Sequence, residues 1–336
     1  MRRILGVVTV LVLTGLVLLT VSRFVHTSLR WPILLASFSA YSLLGFLVVL
    51  LVGGCLLVRG HDRRWMVPVV VVAALGLVVQ AWAQAPLFAG ASSGGSSGRP
   101  AGGPADGQGL TVMTSNLEFG KGDAEAVVRT VAAEKVDVLV LEEVTPIAYG
   151  TLLAVGLAEL LPHQVGKPVV TAAGTMVFSR YALESPRLFR LGNGGLDVRV
   201  VAPQPFRLLA VHAAQPVGWP KPWFADLEAV HERARETVEE GPTLVVGDFN
   251  ATRDHQSLRA VLRTGLRDAA EQAGSGWQPT WPTRFRTSWL QPLIAIDHVL
   301  ATDHYVATRT RTFEVRNTDH LALVADLRLT RISARR

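Results

Sequence analysis

The sequence predicts an α/β (α+β) domain with largely antiparallel sheets, preceded by three transmembrane helices. Three observations carry this. The chain of 336 residues is 49% hydrophobic, with mean hydropathy +0.31, and the apolar excess lies in the first 88 residues. Beyond residue 109, short apolar runs outnumber helical patterns and several follow one another across short links. That is the pattern of layered sheets, not of a doubly wound parallel sheet. Finally, the spacing of the apolar stretches changes from spanning length to strand length across a Gly/Ser/Pro-rich segment, residues 89–109. Such a segment reads as a flexible tether.

The apolar front divides into residues 4–22, 32–58 and 66–88. Each run is near or above the roughly 18–20 residues that a bilayer core requires. Three in succession argue against a lone signal peptide. Arg2 and Arg3 precede the first run, and Arg59, Arg63 and Arg64 lie between the second and third. Positive-inside placement then puts the N-terminus and the 59–64 loop in the cytoplasm and everything after residue 88 outside. The expected arrangement is a multi-pass membrane region at 1–88, a linker at 89–109 and an extracytoplasmic catalytic domain at 110–336.

The formal net charge of +6 belongs to the front. Residues 1–109 hold 8 Lys and Arg against 2 Asp and Glu, while residues 110–336 hold 25 of each. A neutral domain lacks the basic surplus usual for a protein that grips nucleic-acid phosphates. The single cysteine, Cys55, lies in the second run, so the outer domain has no disulfide and no cysteine metal site.

Within the domain, residues 110–116 read as a strand and 123–135 as a helix with Asp123 as its N-cap. A buried strand follows at 136–143, then a helix at 146–161. Strands follow at 174–180, 196–201 and 206–212, and an amphipathic helix at 222–240. Residues 243–250 form a strand ending in Gly-Asp-Phe-Asn, and strands at 293–301, 306–315 and 321–329 close the domain.

Polar residues sit at the ends of these strands: Asn116, Glu143, His212, Asp248, Asn250 and Asp297, with Asp319 and His320 just before the last one. Asp248 and Asn250 are one residue apart, which puts both side chains on one side of an extended segment. Singly, each has an ordinary reading as a turn, cap or core residue. Together they are carboxylates, carboxamides and imidazoles suited to hard cations and phosphate oxygens.

Ser115-Asn116, Leu141-Glu-Glu143, Gly174-Thr-Met-Val-Phe-Ser-Arg180, Val211-His212, Gly247-Asp-Phe-Asn250, Ile296-Asp297-His298 and Thr318-Asp319-His320 occur in the order of the endonuclease/exonuclease/phosphatase superfamily. Nearly all of residues 110–329 resembles that family. The resemblance implies a four-layer sandwich, with two central sheets flanked by helices, and Mg²⁺-dependent hydrolysis of a phosphoester or pyrophosphate, with Mn²⁺ as the other candidate cation. It implies Glu143 as a metal ligand, with Asn116 nearby and Asp319 sharing. It makes His320 a general base oriented by Asp297, with Asp248 and Asn250 positioning nucleophile and phosphate. His212 then donates to a phosphate oxygen. Whether Asp248 or His320 takes the proton stays open. Two residues depart from the pattern: Glu142 stands where the family usually has Gln, and His298 where an aromatic residue is common.

The layout of three spans and an outer domain resembles the membrane proteins associated with teicoplanin-type glycopeptide resistance. That implies a lipid-linked substrate, an isoprenoid pyrophosphate of the cell-wall lipid cycle, and the lipid bilayer as partner. The alternatives are an anchored exterior nuclease, a sphingomyelinase-like phosphodiesterase, and a non-enzymatic membrane-bound sensor. Residues 216–224, rich in Pro, Trp and Phe, either dip into an interface or pack in the core, and Trp277, Trp281 and Trp289 read as packing residues.

Overall fold

The computed structural model describes residues 2–60, 62–90, 109–283 and 292–330. The front holds α1 (Arg2–Ser22), α2 (Arg30–Ser37), a 3₁₀ turn (Ser39–Tyr41), α3 (Ser42–Val58), α4 (Arg63–Gln84) and α5 (Pro86–Ala89). Ser39–Val58 and Arg63–Gln84 are long and apolar enough to cross a membrane, and Val8–Ser22 is a shorter apolar helix.

The second apolar run is not one helix. It breaks at Phe38, whose φ/ψ of −110/9 leaves the helical region. α2 instead buries Ile33 and Ala36, and Ile33 joins a core made of residues from the following domain, so this face of α2 packs against protein. The break sits beside a buried polar knot. Gln80 Nε2 donates to Thr20 Oγ1 and Ser39 Oγ, both at 3.1 Å, and Thr20 meets Ser42 at 3.0 Å. Interhelical hydrogen bonds of this kind hold apolar helices together where hydrophobicity alone cannot select a partner. The expected tether falls almost wholly on residues 91–108, outside the described residues.

The domain runs β1 (Gly109–Asn116), α6 (Ala124–Glu134), β2 (Val138–Glu142), α7 (Pro146–Ala154), α8 (Leu157–Leu160), β3 (His163–Gly166), β4 (Met176–Ser179), β5 (Leu183–Phe189), β6 (Gly195–Val200), β7 (Phe206–His212) and α9 (Pro220–Glu240). Then come β8 (Thr243–Asp248), α10 (Gln256–Leu262), β9 (Leu266–Asp268), α11 (Ala269–Ala273), β10 (Asp297–Thr302), β11 (Tyr305–Glu314) and β12 (Leu321–Leu329). Two six-stranded sheets result, ordered β11-β12-β1-β2-β4-β3 and β5-β6-β7-β8-β10-β9.

Alternation sorts the side chains into three cores. Val112, Val140, Leu208 and Val246 meet between the sheets. Met113, Leu139 and Leu141 face α6 and α7 on the outside of the first sheet. Leu209, Val245 and Leu300 face α9 and α10 on the outside of the second. The layers are therefore helix, sheet, sheet, helix, as the four-layer expectation has it. The central strands are buried on both faces, which is why their sequences are continuous apolar runs.

Each sheet is antiparallel except for one central parallel pair, β1/β2 in the first and β7/β8 in the second. Parallel neighbours finish at the same end. Asn116 lies opposite Glu142 and His212 opposite Asp248. Antiparallel β10 begins at that end, with Asp297 opposite Asp248. This topology brings the polar strand ends together.

The expected helix at 146–161 splits at Gly156, which takes φ 94. The strand expected at 293–301 starts only at Asp297. β5 was not foreseen because Ser185, Pro186 and five exposed positions disguise it, and it is an edge strand, where proline is tolerated.

Candidate active site

The site lies where the two sheets meet at these strand ends. Gly247 lets it form. Its φ is 140, and a Cβ there would stand 2.0 Å from the Val211 carbonyl oxygen and 2.9 Å from Glu142 Oε1. The chain then turns. Asn250 takes φ 49 and donates its backbone N–H to Asp248 Oδ1 at 2.8 Å. Asp248 and Asn250 thus converge through an Asx turn, not through the extended segment that the spacing suggested. Phe249 between them is fully buried against the His298 ring.

Asn116 bridges the sheets. Its Nδ2 donates to Glu143 Oε1 at 3.2 Å and to Asp248 Oδ2 at 3.1 Å, while its Oδ1 accepts from Glu118 N at 2.9 Å. Glu143 is held in the left-handed region at φ 57, and its Oε2 accepts from Phe119 N at 2.7 Å. A non-glycine residue in that region is a strained conformation that the surroundings enforce. Burial pushes the Glu143 carboxyl up, against the Phe119 and Asn116 hydrogen bonds, and nearby Asp319 adds to the push.

His320 Nδ1 bonds Asp297 Oδ2 at 2.9 Å, and its Nε2 is 3.9 Å from both Asp248 Oδ2 and Asp319 Oδ1. Burial opposes a charge on this ring, but Asp297, then Asp248 and Asp319, outweigh it and push His320 up to about 10. Burial and Asp297 push Asp248 up to about 7. Ligand atoms of Asp248, Asp297 and His320 lie within 4.8 Å of one another. Asp319 is oriented from outside the predicted set: Trp281 Nε1 donates to its Oδ2 at 2.9 Å.

His212 is the opposite case. Burial, then His320, pulls it down to about 3, so the ring is neutral. Its Nδ1 lies 3.0 Å from the Ala172 carbonyl oxygen, which only an Nδ1–H can satisfy. Nε2 is then an acceptor, 3.4 Å from Asn193 Nδ2, and it faces Asp248 and Glu143 at 3.7 and 3.8 Å. Donation from Nε2 to a phosphate requires a second proton that burial resists.

Glu142 is completely buried beneath this layer. Its Oε1 accepts from Thr114 Oγ1 at 2.8 Å, and its Oε2 has no partner among the described residues. Burial, Asp297 and Asp248 hold its carboxyl well above the usual range. It lies in the floor of the site, where its charged form is disfavoured. His298 pairs with Asp268 at 2.7 Å and reaches the Ala251 carbonyl at 2.9 Å.

All eight predicted residues are gathered within this end of the sandwich. The sequence reading missed Asn193 and Trp281. Asn193 lies on a loop with no strand signal, and Trp281 reads as an ordinary packing residue. Trp277 stacks edge-on against Tyr41 at 4.9 Å, and Trp289 lies outside the described residues.

The donor set fits a hard divalent cation. Asp319 lies near enough to Glu143 for its charge to be felt there, and Asn116 meets Glu143 through its Nδ2. Both carboxylates are oxygen donors of the kind that Mg²⁺ takes, and the upward push on the Glu143 carboxyl is what a cation relieves; the Asn116 Oδ1 is engaged by Glu118 N.

The sequence model of the Endonuclease/Exonuclease/phosphatase family matches residues 113–320. No curated protein matches the chain. Among solved structures, an endonuclease/exonuclease/phosphatase family protein from Bacteroides thetaiotaomicron superposes with TM-score 0.52 at 16% identity, over 66% of this chain and 96% of its own. TDP2 of D. rerio, complexed with a single strand DNA product, gives 0.54 at 14% identity, over 65% and 98%. The human Nocturnin catalytic domain with bound sulfate gives 0.51 at 17%, over 66% and 94%. These likenesses are of fold. With the family's sequence pattern running across well over half its length, the chain belongs to the endonuclease/exonuclease/phosphatase family of metal-dependent phosphoester hydrolases.

Proposed function

We propose that the chain is a membrane-anchored, extracytoplasmic hydrolase that cleaves the phosphoester or pyrophosphate of a lipid-linked substrate, with Mg²⁺ as its cation. One observation carries this: the full set of buried acid, base and carboxamide groups sits on a domain onto which the apolar helices pack directly, through Ile33 of α2 and the Arg23–Asp254 ion pair. An isoprenoid pyrophosphate of the cell-wall lipid cycle suits such a layout.

Glu143, Asp319 and Asn116 would hold the cation, which supplies charge neutralisation at the phosphoryl oxygens. The chain's own groups divide the remaining work. Asp248, poised at about 7, takes the proton of the attacking water. Asn250 fixes Asp248 through its backbone N–H and shares the Ala213 carbonyl with Asn193. His320, charged and clamped by Asp297, donates to the phosphoryl oxygen where negative charge grows. The bond from phosphorus to the bridging oxygen breaks as the bond to water oxygen forms.

A nuclease is the second reading. It draws on the D. rerio TDP2 relative with its DNA product, and the equal charges of residues 110–336 weigh against it. The test assays full-length protein in detergent with Mg²⁺, beside His320→Ala. Phosphate release from a polyprenyl pyrophosphate and nicking of plasmid DNA are measured in parallel. Phosphate release without nicking, lost in the variant, is the expected result. Nicking without phosphate release makes the protein an anchored nuclease.

A further inference from the structure

The apolar helices are packed on the domain at one patch. His255 is buried, and its Nε2 lies 2.9 Å from the Ile33 carbonyl. Arg23, just past α1, pairs with Asp254 with both side chains 5% exposed. Tyr41 donates to the Leu293 carbonyl at 2.7 Å. His26, in the turn after α1, bonds Glu228 at 3.0 Å and lies 4.9 Å from the Phe224 ring. Phe224 and Glu228 are one turn apart near the start of α9. The start of α9 is therefore at the level where the apolar helices end. At that level Trp31 and Trp82 stay exposed, as interfacial tryptophans do.

One loop, between β7 and α9, connects this level to the site. Asn250 Nδ2 and Asn193 Nδ2 pin the carbonyl of Ala213, next to His212, at 3.0 and 3.2 Å. Six residues later comes Trp219, which is 63% exposed, with Val217 exposed beside it. Pro216 is buried at the base of the loop and Lys221 is exposed just after it. Trp223 and Phe224, which the sequence left ambiguous, pack inward. Trp223 is 1% exposed and donates to the Asn250 carbonyl at 3.0 Å. The loop thus separates into an anchored base and an apolar tip followed by a cation. That is the composition that partitions into a headgroup layer.

We propose that residues 217–219 rest in the headgroup region of the same bilayer that holds the apolar helices. The site mouth then faces that leaflet, and the enzyme takes an amphiphile from it without drawing the tail through water. Lys221 and Arg30, both exposed, give the contact a preference for anionic headgroups. The substrate half of this inference rests on the lipid-phosphate reading above; the bilayer contact does not.

The test uses full-length protein carrying Cys55→Ser, in nanodiscs of phosphatidylcholine and phosphatidylglycerol. A spin label is placed through Val217→Cys or, as an aqueous reference, through Asp303→Cys. Asp303 is 89% exposed and follows β10 at the end remote from Asp297. The label at 217 should relax with dissolved oxygen more than with a water-soluble nickel chelate, and the label at 303 should do the reverse. Equal accessibility at the two positions overturns the proposal. In parallel, Trp219→Ser should raise the half-saturating mole fraction of a vesicle-borne polyprenyl pyrophosphate about tenfold, a change of about 1.4 kcal/mol. It should leave kcat on a short-chain, water-soluble pyrophosphate ester unchanged. Equal losses on both substrates refute the interfacial role. If the wild-type protein cleaves no pyrophosphate, the substrate reading fails while the label readout still decides the bilayer contact.

Discussion

Replacing Asp297 by Asn separates the roles of the two central groups. The change keeps shape and removes one buried charge that touches His320 at 2.9 Å and pushes up both His320 and Asp248. Unit charges about 4 Å apart at an effective dielectric near 20 interact by about 4 kcal/mol, which is about three pKa units. His320, at about 10 in the native protein, should therefore fall to about 7 in the variant, and Asp248 should fall below its value of about 7. If Asp248 must be deprotonated and His320 protonated, native activity rises through pH 7 and falls near pH 10. In Asp297→Asn both limbs move to lower pH. At pH 8, about one unit above the lowered His320 value, only about a tenth of the variant keeps the charged donor, so kcat falls about tenfold. The assay is kcat against pH on a soluble pyrophosphate ester, with thermal unfolding as the fold control. An alkaline limb that stays near pH 10 refutes the pairing. Activity that rises without limit above pH 10 makes His320 the base.

Four further outcomes are expected. Glu142→Gln should stabilise the protein at pH 8: the native carboxyl is held well above its usual range by burial, Asp297 and Asp248, so it costs stability as pH rises above about 4.5. Melting temperature should climb by about 2–4 °C per kcal/mol recovered, and no gain at pH 8 over pH 5 counts against a buried neutral acid. His298→Phe strands Asp268, which is 4% exposed, and should destabilise by about 3–5 kcal/mol. Burial opposes both charges, but each partner holds the other charged, with His298 raised and Asp268 lowered. The pair's contribution is present above about pH 4 and below about pH 6.5. It fades as pH falls through the lowered Asp268 value or rises through the raised His298 value. Urea unfolding across that range should therefore differ most from the variant near pH 5. Glu143→Ala should move the Mg²⁺ titration of activity to higher concentration, and an unmoved titration places the cation elsewhere. Arg23→Met leaves Asp254 buried with, among the described residues, only Gln84 at 3.4 Å as a side-chain donor, at a cost of about 3–5 kcal/mol. Adding Asp254→Leu should restore most of that loss, as read by thermal unfolding in nanodiscs.

How much of this was legible depended on whether a residue's signal was local. The central strands announce themselves because Val138–Glu142 and Thr243–Asp248 are buried on both faces, leaving unbroken apolar runs that stop at a polar residue. Several candidate site residues stood out for the same reason: Asn116, His212 and Asp248 are what such runs stop at, while Asp297, Asp319 and His320 sit where β10 and β12 begin. The edge strand β5 was not legible, since it is solvent-exposed at five of seven positions and so has no apolar alternation to read, whereas the edge strand β11, expected at 306–315, keeps buried positions at Tyr305, Ala307 and Thr310. The 32–58 run misled because composition does not distinguish lipid from a protein core. Ile33 is as apolar as any residue of α3, yet it is buried against Leu209 and Trp223. Protonation was also beyond the sequence. His212 and His320 are both fully buried imidazoles, yet one is pulled down to about 3 and the other pushed up to about 10. The difference is that His320 has a carboxylate at Nδ1 and His212 has a carbonyl.

The packing of the helices onto the domain also bears on the geometry of the site. Ile33 of α2 and His255 of the domain share a hydrogen bond. The His255 ring stands edge-on to Trp223 at 5.0 Å. Trp223 in turn holds the carbonyl of Asn250, a residue kept at φ 49. A left-handed asparagine costs of order 1–3 kcal/mol and persists only where its surroundings over-determine it. Here three contiguous contacts lead from an apolar helix to that residue, and Asn250 N–H in turn fixes Asp248 Oδ1. The apolar helices therefore act as part of the scaffold that shapes the turn at Asp248 and Asn250, and a domain cut away from them loses one of the supports that holds Asn250 in its strained conformation.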